Sequence, residues 1–100
     1  MLTISTRIDE EILKEIEAMV IENGIDRSDA IRQLIKMGIK EYKLKKALDS
    51  LRERKITVWK AAEIAGITYR EMLNKLKEYN IPFPLSKESL AAEFEENSPK

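Results

Sequence analysis

Residues 2–28 read LTISTRIDEEILKEIEAMVIENGIDRS, and the change of periodicity inside this stretch decides how the fold is read. Thr3, Ile4, Ser5, Thr6, Arg7 and Ile8 alternate polar and apolar and are rich in β-branched side chains, so a short strand is expected. Ile4, Thr6 and Ile8 would line one face of it, and Thr3, Ser5 and Arg7 the other. From Asp9 the period becomes helical. Asp9 is placed to cap a helix, and Glu10 and Glu11 sit where the helix dipole favours acids. Ile8, Ile12, Leu13, Ile16, Met19 and Val20 then recur at helical spacing, and Asn23 and Gly24 supply a left-handed stop near Glu22.

A second helix is expected from Ser28 as its N-cap, with Ile31, Leu34, Ile35, Gly38, Ile39 and Tyr42 as its apolar positions. A glycine on a buried helix face costs about 1 kcal/mol relative to alanine. Gly38 therefore suggests a close helix crossing, with local tolerance as the plainer reading. Residues 42–55 stay helical but polar, carrying Leu44, Ala47, Leu48 and Leu51, and read as a connector. Thr57 can cap a short helix from Val58 to Ala65, and Gly66 makes a turn. Thr68 caps the next helix, which carries Met72, Leu73 and Leu76 inward and is stopped by residues 80–84. Thr68 and Glu71 have the spacing of a capping box. The reading divides the chain into an N-terminal module (1–43), a helical module (44–84) and an acidic tail (85–100). In the tail, Glu88, Glu93, Glu95 and Glu96 outnumber Lys87 and Lys100, with Leu90 and Phe94 isolated among them. A segment of this kind can order on a basic partner or serve as a solubilising tail.

A chain of 100 residues buries little apolar surface unless it associates, so oligomerisation is expected from size. There is no cysteine and no histidine, which removes disulfides, thiolate metal sites, thiol nucleophiles and imidazole bases. No enzyme activity, metal or cofactor is expected. No apolar run approaches the roughly 18 residues of a membrane span, and the first residues do not read as a secretion signal, so a cytoplasmic location without membrane contact is expected.

The charged residues cancel to zero but are unevenly spread. From Arg32 to Lys60 ten basic residues face three acidic ones, whereas Asp9 to Glu22 holds six acids and only Lys14. A basic block of this kind suits phosphate contact, and it suits a solvated helix face as well.

A lone terminal strand cannot satisfy its own backbone groups and needs a partner edge. Nothing else in the chain reads as a strand, so the expected solution is pairing with the same strand of a second copy about a two-fold axis. The order of strand, helix ending at Asn23-Gly24 and second helix resembles the ribbon-helix-helix repressors over roughly residues 2–42. That resemblance implies a ribbon in the major groove, with Thr3, Ser5 and Arg7 reading bases. It also implies phosphate at the start of the second helix, where Arg27 and Ser28 would bind it and Asp26 and Asp29 would oppose it.

The run Val58-Trp59-Lys60-Ala61-Ala62-Glu63-Ile64-Ala65-Gly66-Ile67-Thr68-Tyr69-Arg70-Glu71-Met72-Leu73 resembles a helix-turn-helix. The segment from about Ala47 to Phe83 also resembles a small prokaryotic family of uncharacterised proteins described as antitoxin candidates. If this half met DNA, Thr68, Tyr69, Arg70 and Asn74 would be a second set of contacts, with Lys60, Lys75 and Lys77 near phosphate. Helix pairs of this shape also serve in dimerisation or partner docking, and Trp59 reads as a core or interface residue.

The expected protein is thus mostly α with one N-terminal strand: a dimeric ribbon-helix-helix followed by a small helix-turn-helix-like α domain. Its expected function is sequence-specific repression at a palindromic DNA operator, as the autoregulating antitoxin of a toxin partner. The competing reading is a dimeric adaptor whose C-terminal half docks another protein.

Overall fold

A computed structural model describes residues 1–83 and 90–94. The elements are α1 (Glu10–Asn23), α2 (Arg27–Arg52), α3 (Val58–Ala65) and α4 (Tyr69–Glu78), and residues 90–94 are also helical. No strand occurs among the described residues. Residues 1–9 carry no regular secondary structure and are exposed throughout. This overturns the expected strand and, with it, the ribbon-helix-helix architecture; the fold is all-α. Alternating β-branched side chains favour extended backbone, but a strand needs a neighbouring edge to share its hydrogen bonds. Every regular element among the described residues is a helix, whose backbone groups are already paired with one another.

The chain forms two compact units, residues 1–38 and residues 39–100, with α2 running from the first into the second. In the first unit α1 starts where its cap chemistry places it, the Asp9 carboxylate accepting the Ile12 N–H at 2.9 Å. It ends at Gly24, whose φ of 62° is left-handed and whose N–H donates to the Val20 carbonyl. α2 begins two residues before the expected Ser28 cap takes effect. Asp26 caps it instead, accepting the Asp29 N–H at 2.7 Å, so Ser28 lies within the first turn. The helix is continuous for 26 residues, because nothing in the polar stretch beyond Tyr42 breaks it. A Cβ built on Gly38 would meet nothing within 4 Å, so no close crossing occurs there and the plainer reading of that glycine holds.

Burial in the first unit is sparse. Only Ile16 and Ala30 are buried in residues 1–38, while Ile8, Ile12, Leu13, Leu34 and Ile35 are all exposed. The apolar stripe of α2 continues into Ile39 and Tyr42, which are exposed too.

The second unit holds the core of the molecule. Ala47, Leu48 and Leu51 of α2 pack with Val58, Ala61, Ala62 and Ala65 of α3, Met72 and Leu76 of α4, and Ile81. Three alanines on α3 keep its inward face small, and α3 and α4 lie in contact. Both α2 and α4 end on a tight left-handed turn. Lys55 N–H reaches the Ser50 carbonyl at 2.9 Å and Ile81 N–H the Leu76 carbonyl at 2.9 Å. The residues that turn the chain are Arg54 and Asn80, with φ of 59° and 54°. Asparagine tolerates that conformation, whereas arginine carries a Cβ that crowds the following carbonyl. No helix among the described residues is long and apolar enough to cross a membrane.

Candidate nucleic-acid interface

The helix pair α3–α4 is set by its caps. Thr57 opens α3 by accepting the Lys60 N–H at 3.1 Å. Gly66, at φ 71°, closes it through a left-handed turn, which a side chain would strain. Gly66, Ile67 and Thr68 separate the two helices, a turn length found in helix-turn-helix pairs. Thr68 then opens α4 with a complete capping box: its hydroxyl accepts the Glu71 N–H at 3.1 Å, and the Glu71 carboxylate accepts from the Thr68 N–H and hydroxyl. The apolar residues Met72 and Leu76 face the core. Helical spacing therefore directs Arg70, Asn74 and Lys77 outward along one stripe, and all three are exposed.

The four residues that the sequence points to here do not share one situation. Arg70 and Asn74 make no ion pair or side-chain hydrogen bond among the described residues, so their donors face solvent. Thr68 is exposed, but its hydroxyl is engaged by Glu71. Tyr69 is half-buried with its ring stacked on Trp59, the centroids 3.8 Å apart and the planes 19° from parallel. Partial burial, reinforced by the negative charge of Glu93, pushes the Tyr69 phenol above its ordinary value of 10.0. Trp59 thus packs within its own unit. Lys60 pairs with Glu63 at 3.7 Å and Lys75 with Glu78 at 3.2 Å, so of the three flanking lysines Lys77 alone lacks an ion pair among the described residues.

The N-terminal candidates are dispersed. Thr3, Ser5 and Arg7 lie on the exposed, irregular segment before α1, and no ladder holds them on a common face. The Arg27 guanidinium is ion-paired with Glu17 of α1, both side chains being largely exposed. Ser28 is exposed in the first turn of α2, beside the Asp29 carboxylate that pairs with Arg32 at 2.7 Å.

The basic block lies mainly on α2. Arg52 pairs with Asp49 at 3.2 Å, and in the turn that follows the helix Lys55 pairs with Glu53 at 2.9 Å. Lys36, Lys40, Lys43, Lys45, Lys46 and Arg54 are exposed with no ion pair among the described residues. Exposed pairs of this kind contribute about 0–1 kcal/mol each, so they leave most of the block's charge available to a polyanion. No group of three metal-ligating side chains is present among the described residues.

Sequence reasoning missed Glu93. It is the single buried charged residue among those described. Its carboxylate accepts the Val58 N–H at 2.8 Å and the Trp59 N–H at 3.3 Å, completing the N-terminus of α3. No local signal could have found it: an acid in an acidic tail has nothing in its neighbourhood that points to a helix end 35 positions away.

Comparison with known proteins agrees with the resemblance of the C-terminal half and extends it. The model of an uncharacterised protein family (UPF0175) matches residues 3–97. The chain belongs to this family. A relative is the uncharacterised protein ORF59b of Acidianus filamentous virus 1, 30% identical over 56 residues, covering 56% of this chain and 95% of the viral protein. No solved structure matches. The family match runs through both units, whereas the likeness of the N-terminus to ribbon-helix-helix proteins finds no support in the all-helical structure.

Proposed function

We propose that this member of the family is a sequence-specific DNA-binding repressor that inserts α4 into the major groove. The observation that carries the reading is the exposed stripe Arg70, Asn74 and Lys77 on the second helix of a capped helix-turn-helix pair, with Arg70 and Asn74 uncommitted among the described residues. Arginine can contact guanine and asparagine adenine, each through two hydrogen bonds, and Lys77 lies one turn further along for phosphate. The uncompensated lysines of α2 add sequence-independent attraction. Base reading is thereby assigned to α4 rather than to Thr3, Ser5 and Arg7.

The repressor acts as a dimer in this reading. Ile12, Leu13, Leu34 and Ile35 stand in water, and covering a side chain of that size fully is worth about 1.5–3 kcal/mol. A second copy would cover them and would match a palindromic operator. Autoregulation as the antitoxin of a toxin pair is the context suggested by the C-terminal resemblance. An adjacent reading frame for a small toxic protein, neutralised on co-expression, is the result expected of it.

The test is fluorescence anisotropy of the protein on the DNA upstream of its own gene and on scrambled DNA, each across a salt series. Preference for its own upstream DNA, weakened by Arg70→Ala, supports the proposal. Equal affinity for both DNAs, or none for either, overturns it and leaves the exposed apolar face to a protein-docking adaptor.

A further inference from the structure

A glycine stands in the middle of α2. Gly38 is exposed on a helix of 26 residues, where glycine is less favourable than any residue but proline. Within one chain nothing offsets that cost. A Cβ at Gly38 would meet nothing within 4 Å, so the single chain merely tolerates the residue.

The neighbours of Gly38 are arranged about it. Helical spacing sets Ile31, Leu34, Ile35, Gly38 and Tyr42 along one line of α2. Ile31 is half-buried, whereas Leu34, Ile35 and Tyr42 are exposed, Ile35 by 56% and Tyr42 by 66%. Leu34 lies one turn before the glycine and Tyr42 one turn after it, so the line has an apolar residue in either direction from a bare midpoint. Lys36 and Lys40, two positions to each side, fall on the opposite side of the helix, and Arg32 and Glu41 sit at the margins of the line. Charge is thereby kept off its centre.

That arrangement selects its occupant. The missing side chain lets another helix approach the backbone of α2 at Gly38, since the distance between packed helices is set by the side chains at the contact. A foreign helix would have no need of apolar residues balanced on both sides of the glycine. A second α2 running antiparallel uses both sides at once: glycine lies against glycine, and Leu34 lies against the partner's Tyr42 while Tyr42 lies against the partner's Leu34. This is the self-complementarity of a two-fold contact.

We propose that two copies of this chain cross antiparallel through α2, with Gly38 at the crossing point. The inference rests on the dimer of the preceding reading and specifies its central contact, but it does not need α4 to meet DNA.

The test is sedimentation equilibrium of the full chain and its Gly38→Leu variant, with helicity measured by circular dichroism. Open space around Gly38 in one chain means that the leucine should leave helicity unchanged, while at the crossing it should weaken the dimer by about tenfold or more. Should Gly38→Leu disturb the fold, Gly38→Ala, which adds one methyl group and favours the helix, decides the same comparison. The register is read by oxidative cross-linking, which a chain without cysteine makes unambiguous. Positions 34 and 42 of one helix are about 12 Å apart and cannot be bridged within a chain. The double variant Leu34→Cys, Tyr42→Cys is therefore expected to give a covalent dimer, and either single variant little of it. A monomeric wild-type protein, a Gly38→Leu dimer as tight as wild type, or cross-linking no better in the double variant than in the single ones would each overturn the proposal. A dimer that passes these tests but shows no preference for the DNA upstream of its own gene supports the crossing and overturns the repressor reading alone.

Discussion

Residues 1–38 and residues 39–100 are built from similar helices and differ in what becomes of their apolar side chains. In the second unit the inward positions of α2, α3 and α4 meet and, with Ile81 beyond α4, form a core of ten buried residues, Met72 and Val58 completely so. In the first unit only Ile16 and Ala30 are buried, Met19, Val20 and Ile31 are half-buried, and Ile8, Ile12, Leu13, Leu34 and Ile35 are exposed. The two units use equally good caps, Asp9 and Gly24 in one, Thr57 and Gly66 in the other. Capping and periodicity therefore form helices in both, and only long-range packing separates a unit with its own core from one whose apolar side chains stay largely exposed. A protein of this size gains stability readily from association.

The sharpest way to break that contrast is at Met72. Replacing this fully buried side chain by alanine is expected to cost about 2–5 kcal/mol, with a matching fall in the thermal midpoint that does not depend on protein concentration. A mild effect would show that the second unit is not self-sufficient. The first unit should behave in the opposite way. The double substitution Leu34→Glu and Ile35→Glu is expected to leave the melting of the second unit intact and to abolish dimers in sedimentation. Unchanged mass would mean that the exposed face is not the association surface.

Arg70→Ala is expected to weaken binding to specific DNA by about 1–3 kcal/mol, with the thermal midpoint unchanged, whereas Arg7→Ala should have a smaller effect that is equal on specific and random DNA. The reverse order would return base reading to the N-terminal unit. Arg54→Gly, at a left-handed position, is expected to stabilise the second unit by about 0.5–1 kcal/mol in chemical denaturation, the relief of a strained Cβ being offset in part by glycine's freedom when unfolded.

The smallest expected effect follows from Tyr69. Its phenol is raised in the folded state, so the protein favours the neutral ring. The associated stability is fully present below the ordinary value of 10.0 and is lost as pH rises beyond it through the folded value. A thermal midpoint that declines above about pH 10 should decline less in Tyr69→Phe, and an identical decline would place the titration elsewhere.

Much of this is legible in the residues. Asp9, Gly24, Thr57, Gly66 and the Thr68–Glu71 box occupy their expected positions, since a cap depends only on side chains within about a turn of the helix end. The start of α2 lies a short step from its expected place, because Asp26 and Ser28 are both competent caps and only the path of the chain out of Gly24 selects between them. The N-terminal segment differs in kind from its expectation. Thr3 to Ile8 has the composition of a strand, but whether it becomes one depends on a second edge that no local pattern supplies. For the candidate interface, helical spacing identifies Arg70 and Asn74. It does not foresee that Tyr69 turns onto Trp59, because that stack is made between two helices.

By itself, then, the sequence determined that this protein has no cysteine or histidine chemistry, which side chains cap α1, α3 and α4, and where apolar residues recur at helical spacing. These properties depend on residue type and short spacing alone. Only the tertiary structure decided that the apolar face of the second unit is filled while that of the first is not, and that Glu93 closes the end of α3. Burial and long-range hydrogen bonds arise from parts of the chain that are far apart in sequence, and spacing along it carries no record of which of them meet.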